Sequence, residues 1–119
     1  MTDPAEFFAG RPLGLAAYER VRAIVDGLGD AEVRTTRSQV AFRRRRGFAW
    51  LWRPGRYLAR PDADVVLSVA LARELRSPRF KEVVHPSARV WMHHFEVGSV
   101  DDLDDEVESW LAEAWQAAA

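Results

Sequence analysis

The chain has 119 residues, of which 48% are apolar and 29% charged, and it contains no cysteine. That length suits one domain and is too short for two, and the apolar share is that of a globular chain. The lack of thiols excludes disulfide frameworks, thiolate zinc sites and cysteine nucleophiles, and it agrees with a reducing compartment.

Met1-Thr2-Asp3-Pro4-Ala5-Glu6 has neither the basic region nor the apolar run of a signal peptide, and no apolar stretch is long enough for a membrane span. A cytoplasmic, soluble protein with no membrane partner is the expectation. The net charge of −1 hides a segregation. Val33 to Arg60 holds nine arginines and no acid, whereas Asp101 to Ala119 holds seven acids and no base. Such clustering bears on partners or internal pairing, not on fold.

In chain order, Asp3-Pro4-Ala5-Glu6 reads as an N-cap, a first-turn proline and a capping-box acid, opening a short helix through Phe8. Gly10 interrupts it and Pro12 starts the next. Leu15, Tyr18, Val21, Ile24, Val25 and Leu28 then share one helical face, and Gly29 is expected to end the helix in a left-handed cap.

The period then changes to two. Val40–Arg43 and Phe48–Trp52 read as strands of a hairpin whose tip is Arg44-Arg45-Arg46-Gly47. Arg53-Pro54-Gly55-Arg56 has the residues of a type II turn. Val65–Leu71 follows, apolar on both faces apart from Ser68, and so is expected to be central. Ser77-Pro78 begins an irregular stretch or single helical turn through Val84, broken by His85-Pro86; Val90–Val97 is the last strand.

Ser99-Val100-Asp101-Asp102 is a second capping signal, and Leu103, Val107, Trp110, Leu111 and Ala114 form the stripe of a closing helix. The sum is an α+β domain. It should be a two-layer sandwich, with a mainly antiparallel sheet of three to five strands and the N- and C-terminal helices packed on one face.

The run Arg37-Ser38-Gln39-Val40-Ala41-Phe42-Arg43-Arg44-Arg45-Arg46-Gly47-Phe48-Ala49 resembles the hairpin of a set of uncharacterised bacterial domains. These are labelled "predicted transport protein" or "domain of unknown function". His94-Phe95-Glu96-Val97 and Ser99-Val100-Asp101-Asp102-Leu103-Asp104 resemble the same family's closing strand and helix, so the resemblance runs from about Val33 to the C-terminus. It implies the same α+β layout. Related domains are similar to a C-terminal module attached to nuclease-like domains, which points toward nucleic acid. The resemblance carries over no catalytic residue, and nothing in these residues supports transport across a bilayer.

Three places invite chemistry. Arginines beside aromatics equip a surface for phosphate contacts and base stacking. The candidate anion-binding residues are accordingly Arg37, Arg43, Arg44, Arg45, Arg46 and Arg53, with nucleic acid or another polyanion as partner. In the bland alternative, Phe48, Trp50 and Trp52 form the core face under the helices and the arginines are a solvated edge. A variant pairs the hairpin with the acidic last helix, within one molecule or across a homodimer.

The second place is a pocket near Trp50, Trp52, His93 and His94. Alternation sends His93 toward core aromatics and His94 to the other face beside Glu96, so the two cannot share one metal. No zinc-ligand spacing is present and neither metal nor cofactor is expected. A buried, hydrogen-bonded His93 is the plain expectation. The third place is Lys81, the sole lysine, next to Glu82; a desolvated lysine can be nucleophilic, but a solvated loop lysine is commoner. The leading reading is a non-enzymatic binding module for an anionic partner. Its alternatives are an interaction or dimerisation domain and a small-ligand binder or enzyme using the histidine pocket.

Overall fold

The computed structural model describes residues 3–54 and 64–119. The glycine of the expected type II turn, Arg56 and Arg60 of the basic segment, and Asp62 and Ala63 ahead of the third expected strand lie outside the described residues.

Helix α1 (Pro4–Phe7) starts as the capping signal requires, with the Asp3 carboxylate accepting the Glu6 N–H at 2.8 Å. Helix α2 (Pro12–Leu28) buries Ala17, Val21, Ile24 and Val25. Its expected left-handed cap takes a different form. Gly29 has φ 146° and ψ −156°, an extended conformation with positive φ that is open essentially to glycine alone.

Six strands follow: β1 (Glu32–Thr35), β2 (Val40–Arg43), β3 (Gly47–Trp52), β4 (Val65–Leu71), β5 (Glu82–Ser87) and β6 (Val90–Val97). They form one sheet in the order β1-β2-β3-β4-β6-β5, antiparallel at every pairing. A 3-10 turn (Val100–Asp102) leads to helix α3 (Asp105–Ala117). Ser99 and Asp102 close a capping box on the turn, and the Asp104 side chain accepts the Val107 N–H. The aspartate cluster thus serves helix starts.

Two strands enlarge the sheet beyond the expected three to five. β1 is a four-residue edge strand in which only Val33 and Thr35 have strong β preference. β5 runs through the segment read as irregular and includes His85-Pro86, the dipeptide expected to break structure. A proline without an N–H is tolerated there because β5 is an edge, and the pairing with β6 shifts register between Val84 and Ser87, around that proline. β4 is central as expected, with Ser68 its one buried polar residue.

The helices of the described residues lie on one side. Tyr18 of α2 stacks on Phe42 of β2 with centroids 6.1 Å apart, and Trp110 of α3 meets Phe95 of β6 edge-on at 5.5 Å. Between the layers lie Val40, Phe42, Ala49, Leu51, Leu67, Val69, Phe95 and Val97, with Val21, Val25, Val107 and Leu111 from the helices. Each such aliphatic or aromatic side chain contributes ~1.5–3 kcal/mol on burial. Among the described residues no helix lies on the opposite face of the sheet.

The Gly29 backbone supports Trp115 of α3. A Cβ at Gly29 would lie 2.6 Å from Trp115 Cζ2, and the Trp115 indole N–H donates to Asp30 O at 3.0 Å. Gly29→Ala combines a forbidden backbone region with that clash. It is expected to cost at least ~1–3 kcal/mol, several degrees in Tm. Thermal unfolding by circular dichroism measures it, and an unchanged Tm contradicts this account of the α2–α3 junction.

Candidate functional site

The structure separates the arginines that the sequence groups. Exposed Arg37 lies in the connection from β1 to β2, and Arg53 just follows β3, at the same end of the sheet. Arg43 closes β2 at the other end, and exposed Arg44, Arg45 and Arg46 form the hairpin tip there.

The tip is docked on the C-terminus of α3. Arg44 donates to Trp115 O at 3.2 Å with its guanidinium 3.6 Å over the Trp115 ring, Arg46 donates to Ala117 O at 2.9 Å, and the Arg45 backbone N–H donates to Ala118 O at 3.1 Å. Helix C-termini leave carbonyls without helical partners and carry partial negative charge, which explains why arginines settle there. Arg53 does the same for α1, donating to Phe7 O at 3.1 Å beneath the Phe7 ring.

The acidic helix is served by other arginines. Arg79 binds Asp104 at 3.1 Å and Glu106 at 2.7 Å, Arg73 binds Glu113 at 2.9 Å, and Arg20 approaches Glu108 at 3.9 Å. Among the described residues no carboxylate pairs with Arg43, Arg44, Arg45 or Arg46.

His93 and His94 point to opposite faces, as alternation requires. His93 is wholly buried under Phe80, its Nδ1–H donating to Trp91 O and its Nε2 accepting the Leu75 N–H, both at 3.0 Å. These partners define one neutral tautomer, and burial lowers its pKa. Lys81 is 55% exposed and faces Glu96 at 3.9 Å, the setting of a solvated lysine.

The outer face, which no helix of the described residues covers, holds the other pocket candidates. Trp50 and Trp52 do not lie in the core. A register shift opposite Gly47 brings Phe48 into the core with Ala49 and Leu51, and leaves both tryptophans half-buried on the outer face. Trp50 lies over Gly47, where a Cβ would stand 2.7 Å from Trp50 Cζ2. The register aligns Arg34, Ala41, Trp50, Ser68, His94 and Glu82 in one row across all six strands.

In the middle of that face is an open concavity of about 300 Å³ lined by Ser38, Gln39, Trp50, Trp52, Ser68, Met92 and His94. Its floor is a hydrogen-bonded line: Trp52 Nε1–H donates to Ser68 Oγ at 2.8 Å, and Ser68 Oγ lies 2.6 Å from His94 Nδ1. Burial lowers the His94 pKa, opposed by the charge of Glu82. Ser38, Gln39, Ser68 and Met92 were not singled out as pocket residues from sequence. The signal for Ser68 was present, as the one polar side chain in an apolar central strand. Among the described residues no group of three or more His, Asp or Glu side chains could hold a metal ion, and no helix is long and apolar enough to cross a membrane.

The buried histidines set a pH dependence. With the folded pKa below the unfolded value of about 6.5, the unfolded chain takes up protons first. Their contribution is complete above that value and falls as the pH drops through it. Tm is expected to decrease between about pH 7 and pH 5, and to decrease less in His93→Gln. Thermal unfolding across that range checks it; an identical slope in the variant removes His93 as a source.

No curated protein and no solved structure matches the chain. One family description does match, "Domain of unknown function (DUF5655)", and it extends the sequence resemblance back from about Val33 to residue 5. With residues 5–118 of 119 covered, the chain belongs to the DUF5655 family.

Proposed function

We propose that the domain is a non-enzymatic binding module whose outer sheet face takes a nucleobase with its attached phosphate, as a free nucleotide or within a single strand. The carrying observation is half-buried Trp50, next to Trp52 over a polar floor, on a face that no helix of the described residues covers. Every base has a π-face for an indole, and sheet-borne aromatics are a recurrent platform for unstacked bases.

Charge placement supports the phosphate. Arg43 shares the tryptophan face by register and pairs with no carboxylate among the described residues, Arg37 adjoins Ser38 at the rim of the concavity, and Arg34 on the same face is held by Glu32 at 2.7 Å. The anionic partner expected from the arginine-rich segment is thereby reached through this face, not the hairpin tip, where Arg44 and Arg46 already bind helix carbonyls. A cytoplasmic location, in keeping with the lack of cysteine, belongs to the same proposal.

Tryptophan fluorescence titrated with mononucleotides, single-stranded oligonucleotides and the matching duplex, at low and high salt, tests the reading. Saturable binding of single strands and mononucleotides is expected, with duplex weaker. Trp50→Ala should weaken it roughly fivefold or more, the scale of one lost stacking contact. Arg43→Ala should lower affinity and flatten the salt dependence for strands. Arg46→Ala should lower Tm and leave affinity unchanged. No saturable response at low salt, or undiminished binding by a folded Trp50→Ala variant, overturns the proposal.

A further inference from the structure

We infer that Trp52 and Ser68 are positioning residues that hold His94 as its Nε2–H tautomer, so that the sheet-face site reads a hydrogen-bond acceptor on the ring of its ligand. The nature of the ligand rests on the nucleotide reading above; the tautomer stands on the hydrogen bonds alone.

An indole nitrogen only donates, so Ser68 Oγ must accept at the 2.8 Å contact with Trp52. Ser68 is 3% exposed, and its hydroxyl has one further partner, His94 Nδ1 at 2.6 Å. If Nδ1 carried the proton, Ser68 Oγ would accept twice and its own hydrogen would be buried without an acceptor, a state that folded proteins avoid. The hydroxyl therefore donates to Nδ1, and the imidazole proton resides on Nε2. The polarity of the whole line follows from the one group in it that cannot accept.

Nε2–H is then left over. Among the described residues no protein group accepts from it: Glu82, directly across the β5–β6 pairing, makes no hydrogen bond with His94, and Glu96 faces Lys81. His94 is half-buried at the concavity, with the Trp52 ring edge-on at 5.9 Å and Trp50, Met92 and Gln39 around it. A fixed donor beside the flat apolar surface of Trp50 suits a planar ring bearing a carbonyl oxygen or an unprotonated ring nitrogen. The chosen ligand stacks on Trp50 and places that atom against Nε2.

Long-range proton–nitrogen correlation spectra of the histidine rings, recorded above neutral pH, test the tautomer directly. Wild type is expected to show a protonated Nε2 and a bare Nδ1 for His94. Ser68→Ala, and Trp52→Phe as a second variant that keeps a ring while removing the N–H, are expected to give a mixture of tautomers. With uridine monophosphate as the probe, Ser68→Ala should bind several-fold more weakly. His94→Gln, whose amide can replace Nε2–H, should bind better than His94→Asn, whose amide takes the place of Nδ1. A wild-type ring protonated at Nδ1, or a tautomer unchanged in both variants, overturns the inference. The expected tautomer with no binding of the probe overturns the nucleotide reading and leaves the donor assignment standing.

Discussion

An antiparallel sheet whose described helices all lie on one side must make its other side compatible with water, and that constraint governs this molecule. The covered side is uniform, with aliphatic and aromatic residues of β2, β3, β4 and β6 meeting α2 and α3. On the other side Trp50 and Trp52 are half-buried over their neighbours, and Ser68 and His94 supply a hydrogen-bonded line beneath. Large aromatic surfaces with a polar tip tolerate such a boundary better than aliphatic side chains do. The outer face is therefore a solution to exposure, and on the proposed function it is the place where a flat ligand displaces water.

The arginines follow from a second demand, that of the helix ends. Arg44 and Arg46 complete the last carbonyls of α3, and Arg53 completes the end of α1. Arg79 gathers Asp104, Glu106 and the carbonyl of Asp102 at the start of α3 beside the Trp110 and Phe95 rings. Positive charge clustered along the sequence is thus distributed to several ends in space. The acids cluster because one helix start gathers them, and the arginines that reach them come from outside the hairpin segment.

Much of this was legible in the sequence. Asp3, Pro4 and Ser99 marked helix starts through local chemistry, and the face of α3 followed from the spacing of Val107, Trp110, Leu111 and Ala114, all of them buried, with Leu103 buried just ahead of the helix. The opposite directions of His93 and His94 followed from alternation alone. What escaped was set by the sheet as a whole. β5 holds a proline that local rules read as a break, and only its edge position makes it tolerable. Phe48 and Trp50 were assigned to one face because a register shift opposite Gly47 has no mark in a strand pattern. The partners of Arg44 and Arg46 lie 71 residues away, beyond the reach of any motif.

Pro86 has an effect outside the molecule as well. An outermost strand offers unpaired amide groups as a template for another chain, which is how sheets extend into aggregates. On β5 the imide nitrogen and the local register shift interrupt that template, and on β1 the Glu32–Arg34 ion pair at 2.7 Å places charge along a strand only four residues long. Both margins are blunted, so copies of this domain can be crowded together without being stitched into a continuous ribbon.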